Sequence, residues 1–346
     1  MAWEKLGTTS VGGSVANTSW KELGRTTLGS SSAEVDKSSL TAKDNIMILA
    51  YYTGDSTADS FINFNGDEAG NYASRYSRDG GSDSTDTSQS VGLRLEQGRT
   101  TPQFSVMNIT NISAQEKLVN GHTVSQNTAG AGNEPHRQEW VGKWANTSAQ
   151  ITQATLDRAS GNFTSGSEIV VLGYDNDEAD SGTNFWQELA NVELSSAGDT
   201  LDTSTITAKK YLWIQAFIPE GAGHHGYIYF NGDDGGSNNN YARRGSINGG
   251  NDITTTDDDE INWSHDTNTA KYLNMFVINI SDKEKLCIAE YMDYGSSGAG
   301  TAPNRIEWVY KWVNTSAQIS SVKLYNNKAS SNDFPIGTTL KVWGSD

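Results

Sequence analysis

The sequence has a single cysteine, Cys287, in 346 residues, so no intrachain disulfide can form. Its place between Leu286 and Ile288 in a strand-like run points to a buried, inert thiol. Proline is scarce at 5 residues. Positive charge is in short supply: 25 Lys and Arg stand against 42 Asp and Glu, a formal net charge of −17. A surface of this sign repels a phosphate backbone, and no Lys/Arg cluster offsets it, so nucleic acid is not an expected partner. The same charge favours solubility and leaves weak cation binding open. No apolar run is long enough for a membrane-spanning helix, so membrane insertion is not expected. The first residues, Met1-Ala-Trp-Glu-Lys-Leu-Gly, carry no basic n-region, so no signal peptide is expected and folding in a cytoplasm is. Helical apolar periodicity is missing as well, never lasting beyond about ten residues.

What is abundant is turn and strand chemistry. There are 35 Gly, many Ser, Thr, Asn and Asp, and 10 Trp with 14 Tyr. Turn signals recur every ten residues or so between alternating apolar segments, which reads as all-β. The run Asn-Ile-Met-Ile-Leu-Ala-Tyr-Tyr at 45–52 has strand length, and the segment 104–112 alternates as a half-buried strand does. Segment 79–90 is polar and Gly/Ser-rich and reads as a loop, as does the small-residue stretch 128–135.

The chain is also duplicated. Residues 305–319 repeat residues 137–151 almost one for one, and Asn-Thr-Ser-Ala-Gln-Ile is identical in both. Trp20-Lys-Glu-Leu matches Trp186-Gln-Glu-Leu, and Phe64-Asn-Gly-Asp67 matches Phe230-Asn-Gly-Asp233. Asn71-Tyr-Ala-Ser-Arg75 matches Asn240-Tyr-Ala-Arg-Arg244, and Asn111-Ile-Ser matches Asn279-Ile-Ser. The expected organisation is an arm at 1–19, a first repeat at 20–175, a linker at 176–185 and a second repeat at 186–346. The arm is either an extra strand or a disordered tail. Each repeat should fold as a jelly-roll-like β-sandwich of eight to ten strands.

Alternation in Glu-Trp-Val-X-Lys-Trp places Trp140 and Trp144 on one face, and Trp308 and Trp312 likewise. Inter-sheet core is the stronger expectation for these four, together with Trp20, Trp186, Phe64 and Phe230. An exposed sugar-stacking platform is the competing one. Asn-Gly in Phe-Asn-Gly-Asp fits a tight turn with positive φ. Asp67, Asp233 and Asp234 either bond back to that turn or contribute oxygens to a calcium ion, the one cofactor these loops could hold. Tyr291 and Tyr294 are the candidate glycan-binding residues. No His-Glu-X-X-His, no Gly-X-Ser-X-Gly and no phosphate loop occurs. Carboxylates recur at matched positions, as Asp67 with Asp233, Glu116 with Glu284 and Glu139 with Glu307. That suits a shared structural role better than one active site, so no enzyme is expected.

The Phe-Asn-Gly-Asp, Asn-Tyr-Ala-X-Arg, Glu-Trp-Val-X-Lys-Trp-X-Asn-Thr-Ser-Ala-Gln-Ile and Gly-Thr-Thr-Leu-Lys-Val-Trp-Gly blocks resemble a β-sandwich module of virion proteins in tailed bacteriophages, notably marine ones. The resemblance covers nearly all of both repeats, and departs at Leu172, where the second copy has Trp343. It implies a non-enzymatic virion protein, an outer capsid (decoration or minor capsid) or tail component. Its expected partners are copies of itself and other virion proteins. A carbohydrate-binding adhesin that contacts host surface polysaccharide is the alternative, and a glycan-degrading enzyme with two carboxylates in one cleft the third.

Overall fold

Side chains alternate across a strand, so a run such as Phe-Ser-Val-Met-Asn-Ile can bury one row while the other meets a second layer or solvent. The computed structural model describes residues 19–177, 184–221, 224–234, 239–264, 268–295, 298–327 and 333–346, and among these every regular element is a strand and none is a helix. Residues 1–18 of the expected arm and 178–183 of the expected linker lie outside the described residues. By its contacts the chain forms two units, Met1–Asn127 with His136–Phe185, and Thr128–Pro135 with Trp186–Asp346.

The first unit contains β1 (Lys21–Thr27), β2 (Glu34–Lys37), β3 (Asn45–Tyr52), β4 (Ser60–Phe64), β5 (Tyr72–Arg78) and β6 (Ser84–Gln89). It continues with β7 (Leu93–Glu96), β8 (Gln103–Thr110), β9 (Lys117–Ser125), β10 (His136–Trp144), β11 (Ala154–Arg158) and β12 (Glu168–Tyr174). An eight-stranded antiparallel sheet runs β1-β12-β3-β8-β9-β10-β5-β6, and a four-stranded one runs β2-β11-β4-β7. Ile48, Tyr52, Met107 and Trp144 from the larger sheet meet Ile62, Phe64, Leu95 and Leu156 from the smaller in one core.

The second unit repeats this with β13 (Gln187–Glu193), β14 (Thr200–Asp202), β15 (Tyr211–Ile218), β16 (Gly226–Phe230), β17 (Tyr241–Ile247) and β18 (Ile253–Asp258). The rest are β19 (Ile261–Asn262), β20 (Lys271–Ile278), β21 (Lys285–Asp293), β22 (Asn304–Trp312), β23 (Val322–Asn326) and β24 (Thr339–Ser345). Its sheets, β13-β24-β15-β20-β21-β22-β17-β18 and β14-β23-β16-β19, have the same order. Bulges recur at matched places, after Glu22 and after Glu188. The protein is thus all-β, two tandem jelly-roll-like sandwiches.

Three expectations need correction. The described residues of each unit form twelve strands rather than eight to ten, because short edge strands such as β6, β14 and β19 carry little apolar pattern. Residues 84–89, expected as loop, form edge strand β6, and Ile253–Asp258 is its counterpart. Both are solvated along most of their length, so they show no apolar alternation, and only backbone pairing to β5 or β17 defines them. The Asn-Gly turns do have two left-handed residues, Asn65 (φ 54) with Gly66 (φ 62) and Asn231 (φ 55) with Gly232 (φ 70). Yet they close no hairpin, because β4 belongs to the small sheet and β5 to the large one. The turn carries the chain between layers, and the Tyr72 hydroxyl, within 2.8 Å of the Phe64 N–H, ties the two sides together.

Candidate functional site

The blocks that repeat most faithfully are structural hubs. Trp144 and Trp312 point inward and are fully buried, as are Phe64 and Phe230, while Trp140 and Trp308 are nearly so. The Trp144 indole N–H donates to Asp67 Oδ2 at 2.7 Å, and Trp312 donates to Asp233 Oδ2 at 2.6 Å. Asn71 and the Ala69 N–H also donate to Asp67, and Asn240 donates to Asp233. Burial works to raise the Asp67 carboxyl, but these donors together outweigh it and hold the group below its ordinary value. Asp234 is exposed beside the turn. The oxygens expected for calcium therefore face hydrogen-bond donors at Asp67 and Asp233. Among the described residues no group of three or more His, Cys, Asp or Glu is placed to hold a metal.

The identical hexapeptide has an equally structural explanation. Asn146 Oδ1 accepts the N–H of Ser148 (2.8 Å) and Ala149 (3.0 Å), and Asn314 does the same for Ser316 and Ala317. Ile151 N–H donates to buried Asn111 Oδ1 at 2.7 Å, and Ile319 N–H to Asn279 Oδ1 at 2.7 Å. Asn111 in turn donates to Lys43 O, and Asn279 to Lys209 O, both at 2.9 Å. Two turns and a strand end are thus pinned by one buried amide in each unit.

Other expected residues lie elsewhere. Trp186 is buried, but against Trp213 and Phe276 on the outer side of the large sheet, because Trp213 alternates with the core residues Leu212 and Ile214. Trp20 is half-buried and meets Tyr174 edge-on. Tyr291 is not a loop residue open to sugar. It follows Cys287 and Ala289 at period two on β21, sits in the core at 1% exposure, and donates to Asp293 Oδ2 at 2.7 Å. Tyr294, just beyond the strand, is half-buried. Cys287 is free and buried, and burial pushes its thiol well up. A buried contact without a sequence signal joins Lys271 Nζ to His224 Nδ1 at 2.8 Å, with His224 Nε2 against Pro219 O at 3.1 Å. Lys271 and His224 lie 47 residues apart in the chain, so no spacing motif announces the pair.

The remaining matched carboxylates lead to a recognition face. On the outer side of β21 and β22, antiparallel pairing sets Leu286 opposite Lys311 and Ile288 opposite Val309. Segment Thr128–Pro135 joins β9 to β10 in sequence but belongs to the second unit by contact. Its Gly130 N–H donates to Glu284 Oε1 at 2.6 Å, and Thr128 O accepts from Lys311 Nζ at 2.6 Å. Ala131 O accepts the Asp257 N–H at 2.8 Å, and Pro135 O accepts from Arg244 Nε at 2.8 Å. Glu134 pairs with Arg244 at 2.6 Å. Leu286, Val309 and Lys311 are completely buried there. Burial holds Lys311 below its ordinary pKa, against the pull of Glu284. This face takes a small-residue loop chiefly through backbone bonds.

No protein-family model matches the chain, and no curated protein does either. Among solved structures, domains LG4-5 of the mouse laminin alpha1 chain are 11% identical over 92% of this chain and 88% of theirs, at a TM-score of 0.20. An acyl-CoA hydrolase from Agrobacterium tumefaciens is 9% identical over 64% of this chain and 77% of its own, at 0.14. Likenesses this low carry no functional statement.

Proposed function

We propose that the protein is a non-enzymatic structural component of a virus particle, an outer capsid or tail protein assembled in the host cytoplasm, that works by binding copies of itself and neighbouring particle proteins. The observation that carries this reading is the outer face of β21 and β22, where charged and apolar side chains receive a loop of small residues by shape and backbone bonding. The repeated Trp, Asp and Asn residues support it, because in both copies they are engaged in architecture. The resemblance of the repeated blocks to phage virion modules supplies the particle. Peptide mass spectrometry and antibody labelling of purified particles test it. The protein should be present in stoichiometric amount and at a fixed place, and particles lacking it would refute the proposal.

A further inference from the structure

The recognition face and the loop it holds each occur twice in the chain. Glu116, Leu118, Val141 and Lys143 of β9, β10 and the turn before β9 match Glu284, Leu286, Val309 and Lys311. Arg75 pairs with Asp83 at 3.4 Å, as Arg244 pairs with Asp252 at 3.4 Å. Even the backbone donor has its counterpart: the β18 bulge at Asp257 (φ 51) corresponds to the β6 bulge at Ser88 (φ 52). The loop is duplicated too. Gly130-Ala-Gly-Asn-Glu-Pro135 matches Gly298-Ala-Gly-Thr-Ala-Pro303, and the leading glycines share a left-handed backbone, φ 92 and φ 87.

One loop and one face are bonded to each other, and the other loop and the other face are exposed. In the second unit Leu286 and Val309 are 0% exposed, whereas in the first Leu118 is 57% and Val141 53% exposed. Lys143 and Glu116 pair with each other at 2.9 Å on an open surface, whereas Lys311 and Glu284, 3.6 Å apart, each also take a loop backbone group. Residues 298–303 are all exposed. A lone surface leucine is ordinary. A matched set whose apolar twin is buried beside a bonded, matched loop is not.

We infer that residues 298–303 of one copy dock on the Glu116, Leu118, Val141 and Lys143 face of a second copy, joining chains head to tail. This refines the self-assembly proposed above and rests on it. By correspondence, Gly298 N–H would donate to Glu116 and Ala299 O would accept from Ser88 N–H. Pro303 O would accept from Arg75. Ala302 stands where Glu134 pairs with Arg244, so one ion pair is missing and the contact is weaker than the engaged one. Different surfaces meet, so the interface is heterologous, and it closes as a ring or runs on as a filament.

Sedimentation velocity of the full chain over a concentration series tests this. Val141→Glu on the face and Gly298→Val in the loop should each weaken association by about tenfold or more, the loss expected of one central contact. Both sites are exposed, and circular dichroism checks that the variants fold. A second measurement is independent of affinity: Ser88→Cys with Ala299→Cys should give an intermolecular ladder, or one closed band, on a non-reducing gel. Association that both variants leave intact, with no ladder, would overturn the inference and leave self-assembly standing through other surfaces. A wild-type chain that stays single at every concentration, without crosslinks, would overturn both the inference and the self-assembly it rests on. Particle composition would then still test the virion proposal. Capture of a different particle protein by the face, lost in Val141→Glu, would also overturn it.

Discussion

Replacing Trp144 by Phe keeps the ring in the core and deletes only the N–H that Asp67 accepts. The expected cost is about 1.5–3 kcal/mol, the range for a hydrogen bond to a charged group, and Trp312→Phe should behave alike through Asp233. Trp312→Ala removes the packing too and should cost about 3–5 kcal/mol. Denaturant titration followed by far-ultraviolet circular dichroism separates the two sizes. Glu96 supplies a test of pH. It is buried at the end of β7, and burial pushes its carboxyl up to about 7, against the opposing effect of Arg99. A carboxyl raised in the folded state stabilises fully below its unfolded pKa and loses that contribution as pH rises through about 7. Stability should therefore carry a component of roughly 3 kcal/mol that disappears between about pH 4.5 and 7 and is absent in Glu96→Gln. Asp67 has the opposite sign. Held below its ordinary value, it stabilises above the unfolded pKa, and that contribution is lost as pH falls.

Among elements, the turn that follows β10 depends on a strand edge distant in sequence. Asn111→Ala leaves the buried Ile151 N–H and Lys43 O without the amide that joins them. The expected loss is about 1–3 kcal/mol, with faster exchange of the Ile151 amide, read by hydrogen exchange. Asn279→Ala should do the same at Ile319. The strands with a buried row were legible in sequence: the run at 45–52 is β3, and the Glu-Trp-Val-X-Lys-Trp alternation turns its tryptophans inward as period two requires. Edge strands β6 and β18 were not legible, since backbone pairing leaves no mark on a side-chain pattern exposed along most of its length. The Asn-Gly turn was legible as backbone geometry and misleading as topology. Its dihedral angles are local, whereas the sheet its flanking strands join is decided by distant partners.

For the whole molecule, a net charge of −17 makes copies repel one another. If chains join head to tail, association should strengthen as salt rises from low ionic strength towards about 0.15 M, where screening acts beyond roughly 8 Å. Light scattering across a salt series would show it. A steady loss of association with salt would mean instead that attraction between opposite charges dominates the contact. The duplication makes the comparison internal, because one chain carries the same face covered and open.

The chain's own residues determined that the protein is all-β, that it is duplicated, where most buried strands run and which side of each faces the core. Those properties follow from the period of apolar residues and from turn residues, which act over a few positions. Only the tertiary structure decided what lies on the outer faces. Leu118 and Leu286 have the same neighbours in sequence pattern and the same register on their sheets, yet one is open and the other buried. Periodicity reports the face of a sheet to which a side chain belongs. Whether that face meets water or Thr128–Pro135 depends on where a distant stretch of backbone finds partners for its N–H and C=O groups.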